Sequence, residues 1–472
     1  MAFLRHCFHF IFTFLFLFPS LQLTLSDSGS IGINYGRVAD DLPSPAEVVQ
    51  LLKAQGVTKT KIFDTDATVL SAFSGSDITI TVALPNEHLS DAAGSQSFTD
   101  TWVQSNILPY HPNTLIDAIA VGNEVFSDPQ NTTPFLVPAM KNIYASLVKY
   151  NVASSIKVSS PVTLGSLGTS YPSSSGSFKS DLVEPVIKPL LSFLKQTGSY
   201  LMVNAYPFFA YTANADVISL DYALFKNNAS VTDPNNGLVY KSLLEAQLDA
   251  VFAAMTAVGF KDMKIVVTET GWPSKGDENE IGAGKENAAA YNGNLVRRVL
   301  TGSGTPLRPD EPLNVFIFAL FNENQKPGPT SEKNYGLFYP NEAKVYDIPL
   351  TLKGLNDRPI MMNVSKIQVV SQPSSGGGDG GQTWCVANGM AGVEKLQKAL
   401  DYVCGEGGVD CRQIQPGAMC YDANTLEARA SYALNGYYEK NARGSGTCNF
   451  GGAAYVVTQP PKFGNCEFST GH

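Results

Sequence analysis

The chain has 472 residues, of which 44% are hydrophobic and 16% charged, and its formal net charge is -9. This length exceeds what one compact core usually holds, so we expect two domains, and the composition excludes a disordered chain. The acidic balance argues against nucleic acid and anionic membrane surfaces as partners.

The first 26 residues have the pattern of a secretory signal peptide. A short basic start is followed by an apolar run from Phe8 to Leu25 and by small residues near Ser26. An uncleaved membrane anchor is the alternative, because the run is long enough to span a bilayer. We expect no other membrane span and no C-terminal lipid anchor, and we expect a secreted, extracellular protein.

Eight apolar, strand-like segments alternate with helical segments over about 320 residues. Helical periodicity is clear at 243–255 and 288–300, and Ser44 precedes Pro45 as an N-cap residue would. This α/β alternation predicts a (β/α)8 TIM barrel, with a doubly wound open sheet as the rival. The predicted strands are 31–36, 61–64, 78–84, 116–124, 156–160, 200–208, 264–272 and 315–321.

Polar or aromatic residues close several of these strands, and two of them are glutamates. In a barrel the strand ends converge on one face, so Glu124 and Glu269, 145 positions apart, are expected to meet across one cleft. A structural carboxylate is the alternative for either residue alone, but two carboxylates are the minimum for cleaving a glycosidic bond. Thr268 and Thr270 flank Glu269, and their hydroxyls are expected to hold it ionised through hydrogen bonds.

Other catalytic groups are poorly supported. The histidines beyond the predicted signal, His88, His111 and His472, are scattered, which argues against a metal site and a Ser-His-Asp triad. The glycine-rich run 376–381 satisfies G-x-G-x-x-G, but no predicted strand precedes it, so dinucleotide binding is rejected. We therefore expect neither a metal nor an organic cofactor.

The cysteines are concentrated near the C-terminus. Cys7 belongs to the predicted signal, and six others fall within the last ninety or so residues. Three disulfides are expected, with 15 possible pairings, because zinc would call for a C-x-x-C spacing or nearby histidines. The six are Cys385, Cys404, Cys411, Cys420, Cys448 and Cys466.

These features divide the chain into four predicted regions. They are a signal peptide (1–26), a barrel (27–350), a linker that is rich in Gly and Ser at its end (351–382) and a cysteine-rich module (383–468). Secretion would make the three N-x-[ST] sequons glycosylation sites. Their asparagines are Asn131, Asn228 and Asn363.

Five strand-end stretches together resemble the motifs of plant glycoside hydrolase family 17. The resemblance covers about residues 30 to 350, with the motifs in the expected order. It implies a (β/α)8 barrel and an endo-1,3-β-glucanase acting on 1,3-β-glucans such as callose and laminarin. The stretches are 33–36, 121–124, 204–208, 268–273 and 321–327, followed by Glu332 and 335–338.

The resemblance also implies a retaining mechanism. Glu124 would be the general acid/base and Glu269 the nucleophile, with carboxyl groups about 5–5.5 Å apart. A 1,3-β-glucanosyltransferase, a mixed-linkage 1,3-1,4-glucanase and a non-catalytic glucan-binding wall protein are the alternatives. We expect a monomer in the cell wall.

Further matched positions are expected to bind substrate, each with packing or ion pairing as its alternative. Tyr206 would hydrogen-bond the nucleophile, Trp272 would form the floor of a sugar subsite, and Phe209 would form a wall of the groove. The full set of expected substrate-binding residues is Tyr35, Asn123, Tyr206, Trp272, Glu323, Lys326 and Glu332.

The cysteine-rich segment is similar to carbohydrate-binding module family 43, which binds 1,3-β-glucan. The similarity rests on the cysteine spacing and on stretches 384–386, 414–417 and 448–450. It implies the pairs Cys385–Cys448, Cys404–Cys411 and Cys420–Cys466. The aromatic residues of this segment, Trp384 among them, would either stack on sugar rings or pack on the disulfides.

Overall fold

A computed structural model describes most of the chain. The described residues are 28–226, 229–357, 383–388, 393–416, 418, 420, 426–441, 443, 447–448, 450, 453–457, 461, 466 and 468. The predicted signal peptide with Cys7, the sequons at Asn228 and Asn363 and most of the predicted linker lie outside them. Internal contacts divide the chain into two compact units between residues 362 and 363. The four domain boundaries given above stay predictions.

Strands and helices alternate through much of the first unit, and the described part of the second unit adds two strands and two helices. The strands are β1 (Ser30–Asn34), β2 (Lys59–Lys61), β3 (Thr79–Leu84), β4 (Leu115–Val121), β5 (Lys157–Ser159), β6 (Pro161–Thr163), β7 (Leu167–Thr169), β8 (Ser177–Phe178), β9 (Leu201–Asn204), β10 (Val231–Thr232), β11 (Val239–Tyr240), β12 (Ile265–Thr270), β13 (Asn314–Ile317), β14 (Trp384–Ala387) and β15 (Ala454–Val457). The α-helices are α1 (Pro45–Ala54), α2 (Ala67–Ala72), α3 (Leu89–Gly94), α4 (Gln96–Asn106), α5 (Thr133–Lys149), α6 (Ser180–Leu182), α7 (Lys188–Gln196), α8 (Pro207–Ala213), α9 (Leu220–Ala223), α10 (Leu243–Ala257), α11 (Lys285–Thr301), α12 (Leu352–Asp357), α13 (Val393–Cys404) and α14 (Leu426–Lys440).

Nine strand segments form one parallel sheet that closes on itself. Their order is β5-β4-β3-β2-β1-β13-β12-β9-β6. The predicted fifth strand, 156–160, contains β5, which pairs with β4. After Ser160, and beyond the predicted strand, β6 pairs with β9. The eight predicted strands and the TIM barrel are therefore confirmed, and the open doubly wound sheet is wrong.

Local sequence signals explain how the surrounding helices form. Ser44 accepts a hydrogen bond from the Glu47 N–H, while the Glu47 carboxylate accepts one from Ser44 N, so the predicted cap of α1 is a full capping box. Helices α10 and α11 occupy the two segments predicted from apolar periodicity. Their buried faces join the apolar strand residues in one continuous core.

The C-terminal unit is a small helix-and-hairpin domain. Strands β14 and β15 pair antiparallel, and α13 and α14 contribute to the core beside them. Its disulfides join Cys385 to Cys448, Cys404 to Cys411 and Cys420 to Cys466, which confirms the expected pairing. Because a domain of this size buries little apolar surface, cross-links are the usual source of its stability.

The helices in the described part of the chain were compared with what a membrane span requires in length and apolar composition. Within it, no helix combines the length and the apolar composition needed to cross a bilayer.

Candidate active site

A cleft of about 860 Å³ opens at the C-terminal ends of the barrel strands. Both glutamates line it, and so do residues that follow β1, β2, β6, β9 and β13. In a TIM barrel this face carries the catalytic groups. Its polar lining residues include Arg37, Asp64, Asn123, Glu124, Thr163, Asn204, Gln247, Glu269, Glu323, Lys326 and Glu332.

Both oxygens of the Glu269 carboxylate are held by neighbouring side chains. Lys61 Nζ lies 2.8 Å from Oε1, and the Tyr206 hydroxyl donates to Oε2 at 3.0 Å. Lys61 and Glu269 are buried, with side chains 1% and 7% exposed. The predicted hydrogen bond from Tyr206 is thus present. Two donors, one of them a cation, favour an ionised carboxylate at this position.

The two threonines beside Glu269 do not contact its carboxylate, so this prediction was wrong. The Thr268 hydroxyl donates to Asn204 Oδ1 at 2.8 Å, and the Thr270 hydroxyl pairs with that of Tyr291 at 2.6 Å. The reason is that each hydroxyl is bound by another side chain. The register of β12 against β9 also shifts between Val267 and Glu269, so the strand is irregular where it carries the carboxylate.

Glu124 differs from Glu269 in its backbone conformation and in its charged neighbours. It follows β4 in the left-handed region, with φ 52° and ψ 38°. Asn204 Nδ2 donates to Glu124 Oε1 at 2.8 Å. Burial, and next the charge of Glu269, raise the pKa of the Glu124 carboxyl above its ordinary value. These surroundings favour a protonated carboxyl that can donate its proton.

Gly122 allows the chain to turn into this position. Its φ is 66°, and a Cβ there would lie 2.6 Å from the Val125 side chain. The left-handed conformation is readily adopted by Gly122 but costs backbone energy at Glu124, which the surroundings must offset. The Asn86 side chain does so by accepting from Asn123 N at 2.7 Å and donating to Asn123 O at 3.0 Å.

Asn204 connects the two glutamate-bearing strand ends. It is 2% exposed, accepts from Thr268 through Oδ1 and donates to Glu124 through Nδ2. Asn34 Nδ2 in turn donates to the Thr268 carbonyl at 3.1 Å. A change at either strand end is therefore transmitted to the other through directional hydrogen bonds.

The three charged residues expected after β13 all reach the cleft, and two form an ion pair. Lys326 Nζ lies 3.1 Å from Glu332 Oε2 and 4.1 Å from the centre of the Phe318 ring. Glu323 accepts from Val38 N at 2.8 Å, and burial raises the pKa of its carboxyl. The ion-pairing alternative thus holds for Lys326 and Glu332, alongside their position on the cleft wall.

Two aromatic residues expected to touch substrate are packed away from the cleft. Trp272 is fully buried, its ring centre 5.9 Å from that of Tyr211 and 5.4 Å from that of Tyr291, and its Nε1 donates to the Gly282 carbonyl. A ring enclosed in this way has no face to offer a sugar. Tyr35 is 2% exposed and packs against a neighbouring phenylalanine. Neither lines the cleft.

Other expected residues do line it, and some important ones were missed. Asn123 and Phe209 lie on the cleft wall, and Phe209 is 45% exposed. Lys61 and Asn204 were missed as partners of the glutamates. A lysine or asparagine inside an otherwise apolar barrel strand was the available signal, because such residues are rarely buried without a partner.

Metal-ligating side chains do not cluster in the part of the chain that the structure describes. There, no group of three or more His, Cys, Asp or Glu side chains is placed to hold an ion. Asn131, the sequon within the described residues, is exposed, and its glycosylation stays a prediction.

Comparison with known families agrees with this site. The family model described as glycosyl hydrolases family 17 matches residues 31–350, more than half of the chain. The chain belongs to glycosyl hydrolases family 17. A second model, the X8 domain, matches residues 383–455, so this family 17 barrel is followed by an X8 domain.

Relatives of similar length share both parts. Glucan endo-1,3-beta-glucosidase 13 of Arabidopsis thaliana is 41% identical over 458 residues, which span 96% of this chain and 88% of that one. Glucan endo-1,3-beta-glucosidase 12 of the same plant is 42% identical, over 94% and 86%.

Solved structures match the family 17 barrel. CJP38, a beta-1,3-glucanase and allergen of Cryptomeria japonica pollen, is 43% identical with a TM-score of 0.66, over 68% of this chain and 99% of that one. A structure from a study of two plant beta-glucan endohydrolases with distinct substrate specificities is 37% identical, with a TM-score of 0.63, over 67% and 99%.

Proposed function

We propose that this family 17 protein is an endo-hydrolase of internal 1,3-β-glucosidic linkages in 1,3-β-glucans such as callose and laminarin. The observation that carries the proposal is the pair of differently held glutamates in one cleft, Glu124 and Glu269. The names of the relatives supply the linkage, since they are glucan endo-1,3-beta-glucosidases.

In the first step Glu269 acts as nucleophile and Glu124 as acid. Glu269 attacks the anomeric carbon while Glu124 transfers its proton to the leaving oxygen, so that the glycosidic bond breaks and a glycosyl ester forms. The protonated state of Glu124 has physical support, because burial and the nearby charge of Glu269 raise its pKa. The ionised state of Glu269 is supported by the contact with Lys61.

In the second step Glu124 acts as base. Water attacks the anomeric carbon, its proton passes to Glu124, and the ester bond breaks to restore the Glu269 carboxylate. The product keeps the β configuration because two inversions have occurred. Tyr206, which donates to Glu269 Oε2, would fix the carboxylate for both attacks.

The remaining cleft residues would hold the glucan chain. Glu323, Lys326 and Glu332 line the wall after β13, and Phe209 offers an exposed ring on which a sugar can stack. The X8 domain would bind the same polysaccharide and raise its local concentration at the barrel.

The three disulfides fit an oxidising compartment. We infer that the protein is secreted and acts as a monomer in the cell wall, without nucleic acid or membrane as a partner.

Product analysis on laminarin tests the proposal. The wild-type protein should release short oligosaccharides, Glu269→Gln should release none, and Glu47→Gln should match the wild type because Glu47 is an exposed capping residue of α1. Products longer than the substrate would instead identify a transferase. Laminarin binding without turnover by the wild type would identify a binding protein and overturn the proposal.

A further inference from the structure

Lys61 is a buried cation that contacts the proposed nucleophile, Glu269. It ends β2, its side chain is 1% exposed, and its Nζ lies 2.8 Å from Glu269 Oε1 and 3.8 Å from the centre of the Phe63 ring. A buried ammonium is costly unless a counter-charge stays beside it. The mechanism proposed above removes that counter-charge once in each cycle.

We propose that Lys61 is a positioning residue that acts on both steps through the charge of Glu269. In the free enzyme it holds the carboxylate ionised and ready to attack. In the glycosyl-enzyme Glu269 is a neutral ester, so the buried ammonium has lost its partner, and release of the carboxylate restores the pair. This inference rests on the proposed function of Glu269.

The role of Lys61 follows from which glutamate carries the negative charge in each step. When Glu269 forms its bond to the anomeric carbon, the proton of Glu124 leaves with the glucan alcohol, and the carboxylate charge moves from Glu269 to Glu124. When water breaks the ester, its proton returns to Glu124 and the charge returns to Glu269. Lys61 contacts Glu269 and not Glu124, so it favours the state in which Glu269 carries the charge.

The other charged groups near Glu269 do not supply this effect. Glu124 and Glu323 are carboxyl groups that supply no positive charge, and when ionised each interacts unfavourably with Glu269. Tyr206 contacts Oε2 as a neutral donor, and burial raises the pKa of its hydroxyl well above the ordinary value.

The remaining charged groups are directed elsewhere. Arg37 pairs with Asp64 and Asp66, and Lys326 pairs with Glu332. Glu87, which lines the small pocket beside Lys61, is exposed to solvent, where its charge is screened.

The test separates the charge of Lys61 from its packing. Lys61→Met removes the charge at similar length, Lys61→Arg keeps it, and Lys149→Met is the control, because Lys149 forms a 2.7 Å ion pair with Asp100 on an exposed face. Thermal unfolding shows which variants are folded. If Lys61→Met does not fold, Lys61→Gln replaces it, since it keeps a donor near Glu269 without the charge.

The first readout is the pH dependence of kcat/KM on laminarin oligosaccharides. Lys61→Met removes the ammonium that lies 2.8 Å from Glu269 Oε1, so the acidic limb of its profile should move to higher pH than that of the wild type. The limbs of Lys61→Arg and Lys149→Met should stay near that of the wild type. A folded Lys61→Met with an unmoved acidic limb would contradict the proposal.

The second readout is release of the glycosyl-enzyme. A 2,4-dinitrophenyl 2-deoxy-2-fluoro-β-laminaribioside forms a slow ester, and its hydrolysis is followed as recovery of activity. We expect recovery to be about tenfold slower or more in Lys61→Met, because the ester no longer faces an unpaired cation. Equal recovery rates in the folded variant and the wild type would overturn this part.

The same reagent distinguishes failure of this inference from failure of the proposed function. Peptide mass analysis of the inactivated wild type should place the sugar on Glu269. No label on Glu269, with no turnover of laminarin, would remove the proposed function itself. A label on Glu269, with Lys61→Met unchanged in both readouts, would remove only the role of Lys61.

Discussion

The ends of β4 and β12 carry the same side chain in two different settings. Near the end of β12, where the pairing register with β9 shifts, Glu269 has both oxygens bound, one by an ammonium and one by a phenol. After β4, Glu124 sits in the left-handed region and accepts one amide hydrogen bond, from Asn204. The neighbours of the two carboxyl groups therefore differ: burial and the charge of Glu269 raise the pKa of Glu124, whereas Glu269 has an ammonium beside it.

The different surroundings distinguish the chemical roles proposed for Glu124 and Glu269, which residue type alone cannot do. A glycosidase needs one neutral and one ionised carboxyl group at the same pH. The raised pKa of Glu124 and the cation beside Glu269 match that need. The following predictions try to break the contrast or to sharpen it, beginning with the largest effect.

Leaving-group dependence should separate the two glutamates most clearly. Glu269→Gln and Glu124→Gln should each lose several orders of magnitude in kcat/KM on laminarin. On a 2,4-dinitrophenyl β-laminaribioside, Glu124→Gln should recover much of its glycosylation rate because this leaving group needs no proton. Glu269→Gln should recover none. Equal losses by both variants on the activated substrate would break the contrast.

Removing one donor from Glu269 should have a smaller effect. Tyr206→Phe loses the 3.0 Å hydrogen bond to Oε2, which at a charged group is worth about 1.5–3 kcal/mol, or about 10- to 150-fold in kcat/KM. Tyr335→Phe is the matched control, since Tyr335 lines the same cleft and its hydroxyl has no partner there. Equal kcat/KM values for the two variants would mean that the Tyr206 hydrogen bond does not contribute to the rate.

Removing the donor to Glu124 should cost less again and act on pH. The Asn204 hydrogen bond lowers the pKa of Glu124 against the effects of burial and Glu269. Asn204→Ala should therefore raise that pKa further, with a rate loss of about tenfold. Activity requires protonated Glu124 and is lost as pH rises through its pKa, so the alkaline limb should move to higher pH. A limb that moves to lower pH would contradict this assignment.

The smallest expected effect is a shift in the pKa of Glu124. The charge of Glu269 is the second contribution that raises the pKa of Glu124, after burial. In Glu269→Gln that charge is absent, so the pKa of Glu124 should fall toward its ordinary value without reaching it. Difference infrared spectroscopy of the carboxyl band checks this. An unchanged titration would mean that the two carboxyl groups do not interact.

The barrel and its strand ends could be predicted from sequence because each signal is local. An apolar run closed by a polar residue gave the eight strands and brought Glu124 and Glu269 to one face. The change of pairing strand at Ser160 could not be predicted, because a pattern of side chains does not report where a closing sheet changes its pairing partner.

The partners of the glutamates escaped sequence reasoning because they are tertiary contacts. Lys61 meets Glu269 across 208 residues, and no spacing rule joins them. Trp272 shows the same limit, since the turn after β12 is readable while the direction of its ring depends on packing against Tyr211 and Tyr291. The threonines beside Glu269 show the same limit, because their hydroxyls are bound by Asn204 and Tyr291, which lie elsewhere in the chain.

The C-terminal module shows where family resemblance adds to residue patterns. Counting six cysteines left 15 pairings open, and resemblance selected the three that the structure has. For the aromatic residues the outcome is mixed. Trp384 is buried at 4% exposed, whereas Tyr402 and Tyr455 are 44% and 43% exposed. These two tyrosines remain the candidates for stacking on sugar rings in this domain.

Azide rescue tests the assignment of the two glutamates most directly. Glu124→Ala and Glu269→Ala would each be incubated with azide and an activated β-laminaribioside, and the anomeric configuration of the glycosyl azide read by NMR. Azide replaces water on the ester in Glu124→Ala and should give the β-azide. It occupies the position of the missing carboxylate in Glu269→Ala and should give the α-azide. The opposite pairing of variant and anomer would contradict the account.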